Sequence, residues 1–293
     1  MPERKTLPKI HIGRFIDPLS DFGFKLLFAT EPNKDLLIAF LNELFEGRKY
    51  IADLTYNKNE NHGPQNDYRT TVYDLTCTGK DGEQFIIEVQ RMQQYYFKDR
   101  AIYYTSTLIH DQGPRGEKKW NYQLKEVYLI GVMNFCFEDT LPTACLHRVH
   151  LTYESTGQVF YNKLGYIFIE IPKFNKAEHE LQTDLDRWLF VLKNMHKLEK
   201  IPLYLTKRIF EKLFTIAAIS NLSKKEFMTY ERSLMEEWDK YAVLETAENK
   251  GFNKGKAETV QIMLAAGKLT IAEIAYYANV TEAFVLEVKK NIQ

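Results

Sequence analysis

The sequence predicts an α/β fold with a mixed central sheet flanked by helices and an all-helical C-terminal region. Three observations lead to this prediction. Helical and strand-like stretches alternate along the first 200 residues. Residues 127–135 are nearly all apolar, which is typical of a central strand covered on both faces. From residue 201 onward, the periodic stretches are helical.

Two helices are expected near the start of the chain. Ser20 or Asp21 can cap the first, because a short oxygen side chain satisfies free backbone N–H groups, and apolar side chains follow at helical spacing. The second covers residues 33–44 and carries its apolar side chains on one face. Pro32 fits its start and Gly47 fits its end.

The stretch from residue 72 to residue 104 is the most informative. Two short apolar runs are joined by Lys80-Asp81-Gly82, whose Asp and Gly suit the positive φ of a tight hairpin. Side chains alternate along a strand, so Glu88 and Gln90 share a face and lie about 6.5 Å apart. The hairpin pairing brings Asp74 alongside them.

This arrangement predicts a metal site. Two carboxylates and an amide oxygen converge at the polar end of an apolar hairpin, and such hard oxygen ligands suit Mg²⁺ or Mn²⁺. The competing interpretation is a structural ion-pair set at Asp74 and Glu88. It is disfavoured because no cation on the neighbouring strands is placed to pair with them.

Further strands are expected on both sides of this hairpin. A strand precedes it at residues 51–56, and a helix over residues 95–110 follows it. Later, residues 148–153 can pair with residues 158–161 across a Ser-Thr-Gly turn, and residues 166–172 form another strand.

The C-terminal region is predicted to contain several helices. They cover residues 178–197, 203–219 and 224–248, and a polar helix-like stretch with Gly251 and Gly255 suggests close packing or a hinge. Two short helices then follow, the first opened by a Thr270-x-x-Glu273 capping box. This is the spacing of a helix-turn-helix, for which a structural or oligomerising role is favoured over DNA binding. The expected domains are residues 1–200 and 201–293, with the helix-turn-helix-like end at residues 250–293.

Bulk composition excludes some classes of protein. The 39 basic and 39 acidic residues cancel, which argues against coating nucleic acid by net charge but allows a local basic groove. The three cysteines have no metal-ligand spacing and are read as buried thiols in a reducing cytoplasm. No apolar run has the length of a membrane span or the pattern of a signal peptide, so a cytoplasmic location is expected.

An Asp followed across a hairpin by Glu-x-Gln resembles the PD-(D/E)XK nuclease superfamily, in the branch where Gln replaces the usual Lys. More specifically, the chain resembles the recombination-promoting nuclease (Rpn) / PD-(D/E)XK nuclease family transposases. Asp…Glu-x-Gln alone occurs by chance in many hairpins, so the strength of the match lies in several pieces in order. These are residues 17–28, 73–77, 85–90, 100–104 and 183–188, followed by the glycine-spaced C-terminal helix.

The resemblance implies a restriction-endonuclease-like sheet and a metal-dependent endonuclease that cuts DNA and promotes recombination. It implies catalytic roles for Asp74, Glu88, Gln90 and Arg100, and Mg²⁺ or Mn²⁺ bound by Asp74 and Glu88 with Asp21 as a further carboxylate. DNA is the expected partner, membranes are not, and a homodimer is expected if both strands of a duplex are cut.

Several alternatives remain open. Asp21 is equally consistent with a metal ligand and with a helix cap, whereas Lys25 is read as a surface residue. Arg100 is assigned to a phosphate contact rather than to a salt bridge. Because Gln90 carries no charge, the source of the positive charge is open, and Arg100 and Lys98 are the candidates. The alternative function is a catalytically degenerate nuclease fold that acts as a DNA-binding or oligomeric scaffold. The basic loop at residues 111–121 is read as a solvated loop or as a nucleic-acid contact.

Overall fold

A mixed six-stranded sheet lies at the centre of the computed structural model, which describes residues 12–58, 60–61, 71–113 and 120–292. The sheet order is β1-β4-β5-β6-β8-β7. Its strands are β1 (Leu54–Tyr56), β4 (Leu75–Gly79), β5 (Gln84–Gln90), β6 (Val127–Met133), β7 (Leu146–Thr152) and β8 (Val159–Glu170). Two short strands, β2 (Glu60–Asn61) and β3 (Thr71–Val72), pair separately.

The strand directions make this the mixed sheet that the sequence predicted. β1, β4 and β5 run antiparallel in turn, β5, β6 and β8 run parallel, and β7 is antiparallel to β8. All seven residues of β6 are buried, as expected for a central strand. The register aligns Gln90, Met133 and Glu170 in one row, so three parallel strands end at the same edge.

Helices cover both faces of the sheet. Side chains from α1 (Asp21–Phe28), α2 (Lys34–Phe45), α4 (Asp184–Asn194) and α5 (Arg208–Ala217) form the larger apolar core on one face. The opposite face packs against α3 (Phe97–Asp111). The β5 side chains alternate between these two cores, because Phe85 and Ile87 belong to the larger core and Ile86 to the α3 side.

The sequence correctly located several helix ends. Ser20 caps α1 by accepting from the backbone N–H of Gly23 at 3.0 Å.

The predicted helix over residues 178–197 instead consists of a 3₁₀ turn, Glu178–Glu180, and the separate helix α4. Thr183 starts α4 anew, because its hydroxyl accepts from the N–H of Asp186.

The prediction of two strands at residues 158–161 and 166–172 is wrong, because β8 is one continuous strand. Asn162 and Lys163 lie in a bulge of the β7–β8 ladder, between the Leu151–Tyr161 and His150–Gly165 pairs, and they precede Leu164, where β6 joins β8. A strand segment with one neighbour stays accessible to water and tolerates polar side chains.

A continuous helix, α6, spans 43 residues from Lys224 to Ala266. It does not end near residue 248 as predicted, and Gly251 and Gly255 lie in its interior. Close packing, one of the two explanations offered for these glycines, is not observed, because apart from the helix's own backbone no atom of the described residues lies within 4 Å of the position that a Cβ would take at either one. Ser223 and Glu226 form a capping box at its start, each bonded to the other's backbone.

The chain divides into two compact units, with the boundary inside α6 between Leu234 and Met235. The sequence placed the boundary at residue 200 instead. The difference arises from α5, whose Phe210, Leu213 and Phe214 are fully buried in the larger core of the first unit.

The second unit has its own small core between α6, α7 (Ile271–Tyr277) and α8 (Glu282–Ile292). Its buried members are Val260, Ile274, Ala275, Val285 and Val288. The capping box at Thr270 and Glu273 is present. Among the described residues, no helix is long and apolar enough to span a membrane.

Substitution of glycine by alanine should have opposite effects at Gly251 and Gly131. Gly251→Ala should stabilise the protein by roughly 0.5–1 kcal/mol, because a helix-interior glycine costs conformational entropy and open space surrounds it. Gly131→Ala should destabilise it by roughly 1–3 kcal/mol, because the new Cβ would lie 3.1 Å from the rings of Phe97 and Phe168. Urea unfolding measures the change in the free energy of unfolding for both variants. A destabilised Gly251→Ala variant would show that this glycine has a packing role.

Candidate active site

The β4–β5 hairpin places Asp74 and Glu88 against each other. The register pairs Leu75 with Ile87, which puts Asp74 across from Glu88. The Asp74 N–H donates to Glu88 Oε1 at 3.2 Å, and the Val89 N–H donates to Asp74 Oδ2 at 2.8 Å. The hairpin turn has the positive φ that the sequence predicted, since Gly82 has a φ of 87°.

Burial and mutual repulsion disfavour ionisation of both carboxyl groups. Glu88 is 2% exposed. Its pKa is raised from 4.5 to about 8, first by burial and then by the charge of Asp74. Burial also raises the pKa of Asp74, against the hydrogen bond from Val89. Two buried carboxylates in this arrangement favour a nearby cation.

Arg100 of α3 provides such a cation. Its Nη2 donates to Glu88 Oε2 at 3.2 Å, and its guanidinium lies over the rings of Phe97 and Tyr104 at 5.0 and 5.5 Å. The sequence argument considered only strand-borne cations, and this partner comes from a helix. The salt bridge weighed as an alternative for Arg100 is therefore present, and it joins a residue of the predicted site.

A closed ring of hydrogen bonds surrounds the Arg100–Glu88 pair. Gln90 Nε2 donates to Glu88 Oε2 at 3.2 Å, and Gln94 Nε2 donates to Gln90 Oε1 at 2.8 Å. Arg100 Nη1 donates to Gln94 Oε1 at 2.6 Å, which closes the ring. Sequence reasoning missed Gln94. Its position six residues before Arg100, just ahead of α3, was the available signal.

A second buried ion pair supports the chain directly after β5. Arg91 Nη1 contacts Asp17 Oδ2 at 2.8 Å, and the Asp17 N–H donates to the hydroxyl of Tyr230 at 2.8 Å. Sequence reasoning gave no role to either charged residue, although Asp17 opens the first matching motif and Arg91 follows Gln90. These contacts connect the end of β5 to the segment before α1 and to α6.

Asp21 lies at the rim of the site rather than inside it. Its side chain is 62% exposed and pairs with Lys25 at 2.7 Å. Asp21 raises and Lys25 lowers the pKa of Asp74, which places both charges within electrostatic range of that carboxyl group. The capping role is taken by Ser20. A ligand role for Asp21 stays a prediction.

Lys98, the other predicted source of positive charge, is not part of this cluster. Lys98 pairs with Asp139 at 2.6 Å and lies over the ring of Phe137. Arg115, Lys118 and Lys119 of the basic loop fall outside the described residues. Within the described ranges, no group of three or more His, Cys, Asp or Glu side chains is arranged to hold a metal ion.

The cysteines are only partly as predicted. All three are free, but only Cys77 is buried, whereas Cys136 and Cys145 are half-buried. Burial raises the pKa of the Cys77 thiol to about 12, so this side chain acts as an apolar core residue.

A model of a known family matches most of the chain. The model of the PD-(D/E)XK nuclease family transposases matches residues 18–247, which is more than half of the chain. The chain belongs to this family. Comparisons with curated proteins and with solved structures found no match. The matched range includes Asp74, Glu88, Gln90 and Arg100, and family membership supports a nuclease-like function.

PD-(D/E)XK nucleases generally use divalent metal ions, and the residues present fit such an ion. Asp74 and Glu88 supply hard oxygen donors, and burial makes their paired negative charges unfavourable without a cation. The identity of the ion is not fixed by this donor set, since Mg²⁺ and Mn²⁺ both accept carboxylate ligands.

In metal-free protein, Glu88 should make stability depend on pH. The unfolded chain loses this proton near pH 4.5, whereas the folded protein keeps it to about pH 8. The stability contributed by the protonated group is complete below the lower value and is lost as the pH rises through this window. Urea unfolding in EDTA should therefore show Glu88→Gln gaining stability relative to wild type between pH 4.5 and 8. A difference that stays constant with pH would contradict this assignment.

Proposed function

We propose that this protein is a metal-dependent DNA endonuclease that hydrolyses phosphodiester bonds and promotes recombination. The observation that supports this most is the contact between the half-buried Asp74 and the buried Glu88 at the carboxyl end of β5, with Arg100 beside it. The carboxyl ends of parallel strands are where open α/β sheets bind their ligands.

Asp74 and Glu88 would hold the ion, with Asp21 as a third carboxylate at the rim. A bound divalent ion supplies an acidified water and neutralises charge on the phosphate. The protein's part is to fix the two carboxylates before the substrate arrives. The N–H groups of Asp74 and Val89 do this, because the first donates to Glu88 Oε1 and the second to Asp74 Oδ2.

Gln90 would orient water. It replaces the lysine of the superfamily, so it supplies hydrogen bonds but no charge. Its amide nitrogen carries two hydrogens, of which one holds Glu88 and the other can hold the attacking water. Gln94 fixes the orientation of the Gln90 amide group, because Gln94 Nε2 donates a hydrogen bond to Gln90 Oε1.

Arg100 would supply the missing positive charge. Its guanidinium carries five N–H donors, and its planar shape matches a phosphate. Its contact with Glu88 places the guanidinium within reach of a phosphate bound at the carboxylates. Stacking on Phe97 and Tyr104 keeps it at this position when Glu88 binds a metal ion.

One observation favours the alternative, a catalytically degenerate scaffold. The contact between Arg100 and Glu88 gives this buried carboxyl group a cationic partner without any metal ion. In a scaffold, this pair would be permanent and divalent ions would not bind. Metal binding therefore separates the two functions.

Plasmid cleavage in Mg²⁺ or Mn²⁺ tests the proposal. We expect the wild type to nick or linearise the plasmid, and Asp74→Ala and Glu88→Gln to lose about 100-fold or more in rate, because a metal-held reaction depends on each carboxylate. Glu83→Gln is the matched control, since Glu83 is also buried but lies at the opposite end of β5 and contacts Lys49.

Isothermal titration calorimetry with Mn²⁺ measures metal binding by the same proteins. Binding by wild type and Glu83→Gln, and its loss in Asp74→Ala, would agree with an enzyme. Absence of both cleavage and metal binding in the wild type would assign the scaffold function.

Gln94→Ala should lower the cleavage rate about 10-fold, because Gln90 and Arg100 lose the side chain that joins them, at about 1 kcal/mol per hydrogen bond. Gln93→Ala is the control, because Gln93 is the exposed residue directly before Gln94. This variant should cleave like wild type. Mn²⁺ affinity should stay close to wild type in both variants, because neither side chain is a ligand. Equal rates for the two variants would remove Gln94 from the site.

A cytoplasmic location and a homodimer are part of the same proposal. Two copies would be required for a double-strand cut, since the site uses residues of one chain. A role of the second unit in DNA binding is a weaker prediction than a structural one.

A further inference from the structure

The turn between β5 and α3 presents two consecutive tyrosines. The Phe97 N–H donates to the carbonyl of Gln94 at 3.2 Å, so Tyr95 and Tyr96 hold the two central positions of a four-residue turn. Their side chains are 89% and 77% exposed. Within the described part of the chain, neither hydroxyl has a hydrogen-bond partner and neither ring packs on another ring.

Neither the turn nor the core accounts for these side chains. Central turn positions favour Gly, Pro, Asn, Asp and Ser, which ease the backbone into the turn. Tyr95 and Tyr96 bring no such advantage, and their rings contribute nothing to either apolar cluster of the sheet. A single exposed tyrosine needs no explanation, but two adjacent ones at the centre of one turn form an aromatic surface.

This aromatic surface lies beside the candidate site. Gln94, the residue before Tyr95, bonds both Gln90 and Arg100. The Arg100 N–H also donates to the carbonyl of Tyr96 at 2.9 Å, so the first turn of α3 fixes the tyrosines relative to the guanidinium. The two rings are therefore attached to the hydrogen-bonded ring around Glu88 rather than to a remote loop.

We propose that Tyr95 and Tyr96 are a stacking platform for the bases of an unpaired DNA strand whose phosphate lies at Glu88 and Arg100. This inference rests on the proposed nuclease function and names its substrate class. Aromatic side chains stack on any base, provided that the base face is accessible. In a duplex those faces are covered by neighbouring base pairs, so the platform selects single-stranded or unpaired DNA. The guanidinium of Arg100 suits the backbone of that strand, because its five N–H donors exceed its two contacts with Gln94 and Glu88.

Binding without cleavage tests the platform directly. Fluorescence anisotropy in EDTA would compare a labelled single-stranded oligonucleotide with the duplex of the same sequence, using the full chain. We expect the wild type to bind the single strand more tightly. Tyr95→Ala and Tyr96→Ala should each weaken single-strand binding by about 5- to 150-fold, the range that corresponds to the loss of one stacked base. Duplex binding should change less than about twofold.

Two further variants serve as controls. Tyr95→Phe keeps the ring and should bind the single strand like wild type. Tyr50→Ala removes an equally exposed tyrosine, 79% exposed, that follows Lys49 at the opposite edge of the sheet, and should have no effect. A wild-type preference for duplex, equal losses on both substrates, or unchanged single-strand binding in both alanine variants would overturn the platform.

Plasmid cleavage by the same proteins separates this inference from the proposed function. If the wild type cleaves plasmid and the alanine variants still bind the single strand normally, the nuclease function stands and the platform is rejected. Loss of single-strand binding in the alanine variants of a protein that does not cleave would keep the platform and reject the nuclease.

Discussion

The burial of a carboxylate on a central strand is the constraint on which the rest of the site depends. Glu88 lies on β5, between β4 and β6, where a charge is costly unless a cation compensates it. The facing Asp74 increases that cost. Every polar side chain placed around this pair, from Gln90 to Arg100, can be understood as a response to it.

The helix after β5 is organised by the same requirement. α3 starts where Arg100 can reach back to Glu88, and Phe97 and Tyr104, one turn to either side, hold the guanidinium with their rings. The short link before α3 must therefore cross the edge of the sheet, which brings Gln94 into the hydrogen-bonded ring. The same crossing leaves Tyr95 and Tyr96 in water beside the site. The contacts that satisfy one buried charge thus also determine which surface a substrate meets.

The fold differs from the sequence-based prediction at places where either of two physical causes can produce the same local sequence pattern. Polar residues interrupt a strand pattern either at a strand end or where a neighbouring strand is missing, and the second explanation holds at Asn162 and Lys163. Glycines in a helical stretch indicate either close packing or a tolerated cost, and the second holds at Gly251 and Gly255. In both cases the deciding fact is a neighbour distant in sequence.

The sequence by itself determined the hairpin, the shared face of Glu88 and Gln90, and the approach of Asp74, because strand alternation and turn chemistry are local properties. It also determined the starts of α1 and α7, since the capping side chains of Ser20 and Thr270 lie within three residues of the groups they satisfy. Only the tertiary structure decided that Arg100 pairs with Glu88, that Gln94 joins Gln90 to Arg100, and that Asp21 stays at the rim. These contacts depend on how α1 and α3 pack on the sheet, and that packing is a property of the whole chain.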